Sequence, residues 1–360
     1  MMTKQVFILL LAVSLAACGG QCKEAGAEHV FTIDTVHACT PPLSQGRTST
    51  CWAFATASLL ESELLRLAGD TVRLSPMYVV RQKYLNQFEA YYYACGGENI
   101  RAGSLPHSFL RVWREDGLMP RSAYIGAGKG VKQYDHRRLL RRLKLLAQQA
   151  VNHRDLPRYR RQAIELLDRE MGTVPRTFTY RGREYTPRSF ADSLRLCADN
   201  YVLLTSFSHH PFYTSFVLEV PDNWEHGTFF NVPLDTLERA VRQALQEGYT
   251  VAWDGDVSEA SYDAGQGVAL WPHHPVTQET RQQEFEQYTT TDDHMMHIVG
   301  TAHDESGRFY YLLKNSYGCY GRHRGMLYMS ENYFRAKTVS IMLHREALAG
   351  FSLPIKNAGR

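Results

Sequence analysis

The chain has 360 residues, 44% of them apolar, and a formal net charge of +3. That length exceeds one typical domain, and the apolar share suffices for a sizeable core. So small a charge singles out no polyanionic partner, and seven cysteines without a C-x-x-C pair show no disulfide framework.

Residues 1–17 read as a lipoprotein signal peptide rather than as fold. Met1 to Lys4 is a short basic start, Val6 to Leu15 an apolar core, and Leu15-Ala16-Ala17-Cys18 a lipoprotein signal-peptidase box. About ten apolar residues are too few for a membrane-crossing helix, which needs roughly twenty. An ordinary secretory signal cleaved nearby is the alternative. In the lipobox reading Cys18 is the acylated N-terminus, and residues 18–30 are a small, polar tether to the membrane. Gly19 after the cysteine directs the expectation to the cell envelope of a bacterium, at the outer membrane, on its periplasmic or surface face.

The next element is an amphipathic run after Gln45-Gly46-Arg47-Thr48-Ser49-Thr50-Cys51-Trp52. Its spacing predicts a helix over about Ser49–Ala68, capped by Thr48 or Ser49 and closed by Gly69. Cys51 then lies in the first turn, where the positive end of the helix dipole favours a thiolate. A second helix is predicted from Leu74-Ser75-Pro76 to about Phe88, and a third over 105–116. Between them, Gly96 and Gly97 are candidate substrate-binding residues, because glycine lets a substrate backbone approach closely; a plain turn is the competing reading.

Asp135 to Met171 is the most charged stretch. Leu139, Leu140, Leu143 and Leu146 sit at helical spacing among arginines, and a second segment follows Pro157, so a helical hairpin is predicted. A solvated basic face opposite a packed stripe is the simplest account. No aromatics interleave with the charges as in single-strand binders, so no nucleic acid is expected. From Tyr201 onward strands dominate: Tyr201 to Phe207, Tyr213 to Val220, Thr250 to Trp253, a strand at His294 and another ending at Asn315. Leu234 to Glu247 is a helix between them. The fold class is therefore α+β, with a helical half bearing Cys51 and a β-rich half bearing His294 and Asn315.

Four residues form a chemical constellation. Cys51 supplies a sulfur nucleophile, and the Gln45 amide can reach an oxyanion forming beside it. His294 offers an imidazole, and Asn315 a side-chain amide to orient it. A thiolate–imidazolium pair held by an amide is the cysteine version of the catalytic triad. In chain order Gln, Cys, His, Asn, this resembles the papain-like cysteine peptidases.

His294 follows Cys51 by 243 residues, where papain itself leaves about 130–150, so something near a hundred residues is inserted. The segments 172–180, 185–190, 216–224 and 249–257, with Gln45-Gly46-Arg47 and Leu60-Glu61-Ser62-Glu63-Leu64, resemble the bleomycin hydrolase and bacterial aminopeptidase C branch. The resemblance runs from about residue 30 to 345. It implies a papain-like peptidase domain over 31–360, with an insertion of about 128–198. That insertion would contain a helical hook of the kind by which bleomycin hydrolases assemble. It also implies peptide substrates, an aminopeptidase activity, and a homo-oligomer built through the hook. Choosing His294 over His297 rests on the family's histidine standing six residues before a glycine, here Gly300.

Two departures stand out. Tyr317 occupies the place of a tryptophan that shields the Asn–His bond in the family. The tail from about Ala347 is unlike the family's, whose terminal carboxylate blocks the cleft and meets the substrate α-amine. An endopeptidase of the same fold, and a non-catalytic binding lipoprotein on a peptidase scaffold, are the alternatives. Fifteen histidines invite a metal, but no H-E-x-x-H occurs and residues three apart on a strand face opposite ways. His297 reads as a core or surface histidine, and His209-His210 and His273-His274 as loop residues. No metal and no cofactor are expected.

Overall fold

The computed structural model describes residues 30–272 and 275–351. The expected signal peptide, Cys18 and most of the expected tether, the His273-His274 pair and the tail after Phe351 lie outside the described residues. Strand β1 (Phe31–Val36) opens the fold, followed by α1 (Cys51–Ala68), α2 (Pro76–Tyr93), α3 (Pro106–Asp116), α4 (Arg137–His153) and α5 (Leu156–Met171). A small hairpin, β2 (Phe178–Tyr180) with β3 (Arg183–Tyr185), and α6 (Pro187–Ser193) complete the helical part. Then come β4 (Tyr201–Thr205), β5 (Ser215–Val217), β6 (Thr228–Asn231), α7 (Leu234–Gln246), β7 (Val251–Gly255), β8 (Tyr262–Asp263) and β9 (Val268–Ala269). The chain continues through α8 (Gln278–Glu286), β10 (His294–Asp304), β11 (Phe309–Lys314), β12 (Met326–Ser330), α9 (Glu331–Lys337) and β13 (Thr338–His344). This is the expected α+β architecture.

One sheet of eleven strands runs β5-β6-β4-β13-β7-β10-β11-β12-β9-β8, with β1 added beside β10. The first half of β10 pairs with β7 and its second half with β1. Gly300 marks the change of partner: a Cβ there would lie 2.0 Å from the Thr35 carbonyl oxygen. Only glycine lets the two backbones approach so closely.

α1 is buried almost all round from Cys51 to Leu64, as befits a helix enclosed between other layers. Its small residues, Ala53, Ala55, Ala57 and Ser58, leave room for that packing. Gly69 ends it in the left-handed conformation, φ 63°, its N–H donating to the Leu65 carbonyl. Its start differs from expectation. Thr50 holds the cap position without a side-chain bond to the helix, because its hydroxyl meets that of Thr48 at 2.6 Å, while Thr48 donates to the Gln45 carbonyl at 2.7 Å. Ser49 sits in the left-handed region, φ 50°, turning the chain into the helix.

The helix at Pro76 runs to Tyr93, five residues past the expected end. Tyr91 extends it because its ring is buried and its hydroxyl donates to Gln148 Oε1 at 2.5 Å. The strand expected over Tyr213 to Val220 is only Ser215–Val217 long, since Pro211 precedes it and the turn at Pro221 follows. The charged stretch is a hairpin, with Pro157 in the first turn of α5 behind an Asp155 cap.

That hairpin lies on α2 rather than projecting. Leu139, Leu143, Ala147, Ala163, Leu166 and Leu167 are buried in the same core as Val80, Tyr84 and Phe88. Ion pairs Arg81–Asp168 (2.5 Å) and Arg160–Glu89 (2.6 Å) flank the contact. The apolar stripe is thus covered by the chain itself, and the arginine face meets solvent. Leu143→Ala should lower unfolding free energy by about 2–5 kcal/mol, the range for buried leucine truncation, in urea denaturation. A loss within experimental error would show that α2 and the hairpin are not tightly packed.

Candidate active site

α1 lies against β10, and the contact is polar at its centre. Ser58 Oγ meets His297 Nδ1 at 2.7 Å. One turn further on, Glu61 accepts from the Leu74 amide at 2.8 Å and from the Thr40 hydroxyl. Lys314, the last residue of β11, donates to the Thr40 carbonyl at 2.6 Å. These buried bonds tie α1 to the two strands that carry His294 and Asn315.

Cys51 is the first residue of α1, 8% exposed, with the Met295 backbone N–H donating to its sulfur. Burial pushes its thiol up to about 12; the Met295 bond acts the other way, and the carboxyls of Asp254, Asp292 and Asp222 add to the rise. His294, the first residue of β10, is buried, and its Nε2 lies 2.8 Å from Asn315 Oδ1. Burial pulls its imidazole down to about 4, against the bond to Asn315. The Tyr317 ring sits 5.0 Å from the imidazole at 30°, so the phenol covers one face of the ring.

Asn315 is held in turn. Its Nδ2 donates to Tyr262 Oη at 3.2 Å, and its Oδ1 also accepts from the Ser316 amide at 2.7 Å. Gln45 is buried and doubly tied to the same segment. Its amide N–H donates to the Ser316 carbonyl at 2.9 Å, while Ser316 Oγ donates to Gln45 Oε1 at 2.6 Å. With the oxygen taken by Ser316, the Gln45 NH2 is left to face elsewhere. Gly46 makes the turn that brings Gln45 back: a Cβ there would lie 2.4 Å from the Tyr134 carbonyl oxygen. The structure therefore gathers Gln45, Cys51, His294 and Asn315 around one junction of α1, β10 and β11.

Gly96 and Gly97 are placed elsewhere. They form the turn that closes α2, with Gly96 beside Tyr91, next to the hairpin rather than the N-terminus of α1. The glycine of the segment beside α1 is Gly103. There Trp52 Nε1 donates to the Ala102 carbonyl at 3.0 Å, and Lys83 Nζ to the Arg101 and Gly103 carbonyls at 2.6 and 2.7 Å. A Cβ on Gly103 would collide with the Asp222 carboxylate. Sequence reasoning missed Tyr262, Ser316 and Gly103; the Ala-Gly-Ser step before Pro106 is the one local signal that pointed to the last.

Among the described residues, one trio brings metal-type ligand atoms within 4.8 Å of one another: His209, His210 and Glu219. Both histidines bond Glu219, at 3.2 and 2.6 Å, so the three satisfy each other at the surface. His297 is a core histidine, fully buried against Ser58. The five described cysteines are free, and Cys95, Cys197 and Cys319 are exposed. No helix among the described residues is long and apolar enough to cross a membrane.

The fold is that of the papain-like peptidases. The crystal structure of PepW from Lactobacillus rhamnosis HN001 superposes with a TM-score of 0.71 over 88% of this chain and 82% of that one, at 16% identity. The chain belongs to the Peptidase C1-like family, papain-like cysteine peptidases, whose model matches residues 166–354. It is similar to aminopeptidase G of Lactobacillus delbrueckii subsp. lactis, 24% identical over 208 residues, 49% of this chain and 45% of the relative. A shorter segment of 90 residues is 32% identical to mouse cathepsin K, over 25% of this chain and 24% of that protein. These matches span less than half the length of either curated relative.

Glu61→Ala should strip the Leu74 amide and the Thr40 hydroxyl of their acceptor and leave Lys314 without its nearby carboxylate. Loss of one partner of such a buried charged network costs about 3–5 kcal/mol, readable by chemical denaturation. A loss no larger than about 1 kcal/mol, the scale of an exposed ion pair, would show the network to be dispensable.

Proposed function

We propose that the protein hydrolyses peptide bonds with Cys51, His294, Asn315 and Gln45, and does so as an aminopeptidase. The observation that carries the reading is the His294–Asn315 bond at 2.8 Å, on a strand packed against the helix that begins with Cys51. Asn315 fixes the ring so that Nε2 carries the proton and Nδ1 is the free base. Burial opposes a lone charge on either Cys51 or His294, so the proton passes from sulfur to ring only as a pair of opposite charges forms. The thiolate then attacks the scissile carbonyl carbon, and the C=O electrons move to oxygen. The Gln45 NH2, whose direction Ser316 sets, and the Cys51 backbone N–H stabilise that oxyanion. The tetrahedral intermediate collapses as His294 protonates the departing amine, leaving a thioester that water hydrolyses with the ring as base.

The aminopeptidase reading is supported by the similarity to aminopeptidase G. The cathepsin K segment keeps an endopeptidase as the second reading. We further infer a lipid anchor at Cys18, on the lipobox alone, which puts the enzyme on a bacterial envelope membrane. Self-assembly is retained as a proposal, resting on the resemblance.

Cys51→Ala should abolish hydrolysis of a peptide library without changing the circular dichroism spectrum. Gln45→Ala should cost about a hundredfold or more in turnover, the usual loss for one oxyanion donor, with KM little changed. Near-wild-type turnover in either variant would remove that residue from the mechanism. Free and N-acetylated forms of one peptide separate the two cleavage modes: the aminopeptidase cleaves only the free form, and equal rates would make it an endopeptidase.

A further inference from the structure

Three carboxylates stand beside Cys51 that the mechanism above does not use. Asp254 lies on β7, directly across the ladder from Met295, whose N–H contacts the sulfur, and across from Ser340 on β13. Asp292 directly precedes the Asp293-His294 step, and Asp222 faces Gly103. Asp222 is compensated: Arg101 lies 3.8 Å away, and the Lys83 ammonium is close by. Lys83 itself spends its hydrogen bonds on the carbonyls of residues 101–103.

Asp254 and Asp292 have no such relief. Asp254 is 0% exposed and takes one bond, from Ser340 Oγ at 3.0 Å to Oδ2. Its Oδ1 and the Oδ2 of Asp292 are buried without a hydrogen-bond partner. Among the described residues, neither carboxyl pairs with a lysine, arginine or histidine. Two buried carboxylates near each other each oppose the other's ionisation. Burial raises both, Asp254 up to about 7, and the negative charge of Asp254 raises Asp292 further. The pair is not sealed off. A cavity of about 630 Å³ opens on Asp292, walled by Val220, Pro221, Phe285 and Tyr288.

We propose that this pair receives a cationic group of the peptide, its α-ammonium or a basic side chain. The inference rests on the peptidase reading. In an N-terminal residue the α-nitrogen and the scissile carbonyl share one Cα, so an acceptor for the ammonium must stand close to the nucleophilic sulfur. Asp254, across from Met295, does. The same carboxyls make a thiolate at Cys51 harder to form. A cation that neutralises them therefore favours the nucleophile, and the preference belongs in kcat as well as KM.

The test uses three forms of one fluorogenic peptide: free at the N-terminus, N-acetylated, and N-acetylated with lysine replacing norleucine before the scissile bond. Wild type should favour at least one cationic form over its neutral counterpart by about tenfold or more in kcat/KM, the factor given by ~1.4 kcal/mol. The Asp254→Asn/Asp292→Asn double variant should bring that ratio close to one. A ratio lost for the free peptide assigns the site to the α-ammonium; one lost for lysine against norleucine assigns it to a basic side chain. Should the double variant fail to fold, Asp292→Asn, on the cavity wall, carries the comparison. The Kd of each form is also measured by calorimetry on Cys51→Ala. An enzyme that cleaves none of the peptides then counts against the peptidase reading, while the Kd ratio and its loss in the Asp variants still decide this one. Equal treatment of cationic and neutral forms by wild type, or a preference that survives both substitutions, overturns the proposal.

Discussion

The contact between α1 and β10 governs everything else in this molecule. It is held by a short polar seam inside an otherwise apolar layer: Ser58 meets His297 on β10, and beside it Glu61 accepts from Thr40, to which Lys314 of β11 donates in turn. Buried polar groups have few acceptable partners, so such bonds define one sliding position of helix on sheet where leucines alone would tolerate several. Shift α1 by a turn and Cys51 no longer meets the start of β10. Nearly the whole length of α1 thus serves to place one residue at its end.

Electrostatics and burial pull against each other at that end. A desolvated thiol and a desolvated imidazole each resist charge, and three acidic side chains near the sulfur strengthen its resistance. The helix N-terminus, the Met295 amide and the mutual attraction of the pair oppose it. The balance is local, set by groups within a few residues of the sulfur and by the one strand that lies across from Met295.

How much of this was legible in the sequence follows from the range of each interaction. The helix at Cys51 was readable because its apolar period and its closing glycine are local. The strands at His294 and Asn315 were readable for the same reason, and the chain order of the four polar residues linked them. The cap was misjudged because Thr48 bonds back to Gln45, a choice set by where the turn must go. Gly96 and Gly97 were attractive as a glycine pair, yet Gly103 is the glycine beside α1, and its need for glycine comes from Asp222, far along the chain. The hairpin's stripe was legible, but its partner, α2, was not, because no local pattern says which helix will cover it. The Asp254–Asp292 pair left no sequence signal: it exists only because β7 and β10 are neighbours in the sheet.

The strand pairing at β10 has a consequence in time. Its second half is bordered by β1, from the start of the fold, and its first half by β7, so the junction joins segments with very distant places in the chain. Contacts of such long sequence separation form late and slowly. A ribosome-bound chain holds the Cys51 segment long before the His294 strand exists to meet it. The junction of Cys51 with His294 and Asn315 is therefore absent from any chain that stops short of Asn315, and whatever chemistry the finished site performs cannot begin before nearly the whole fold has been made.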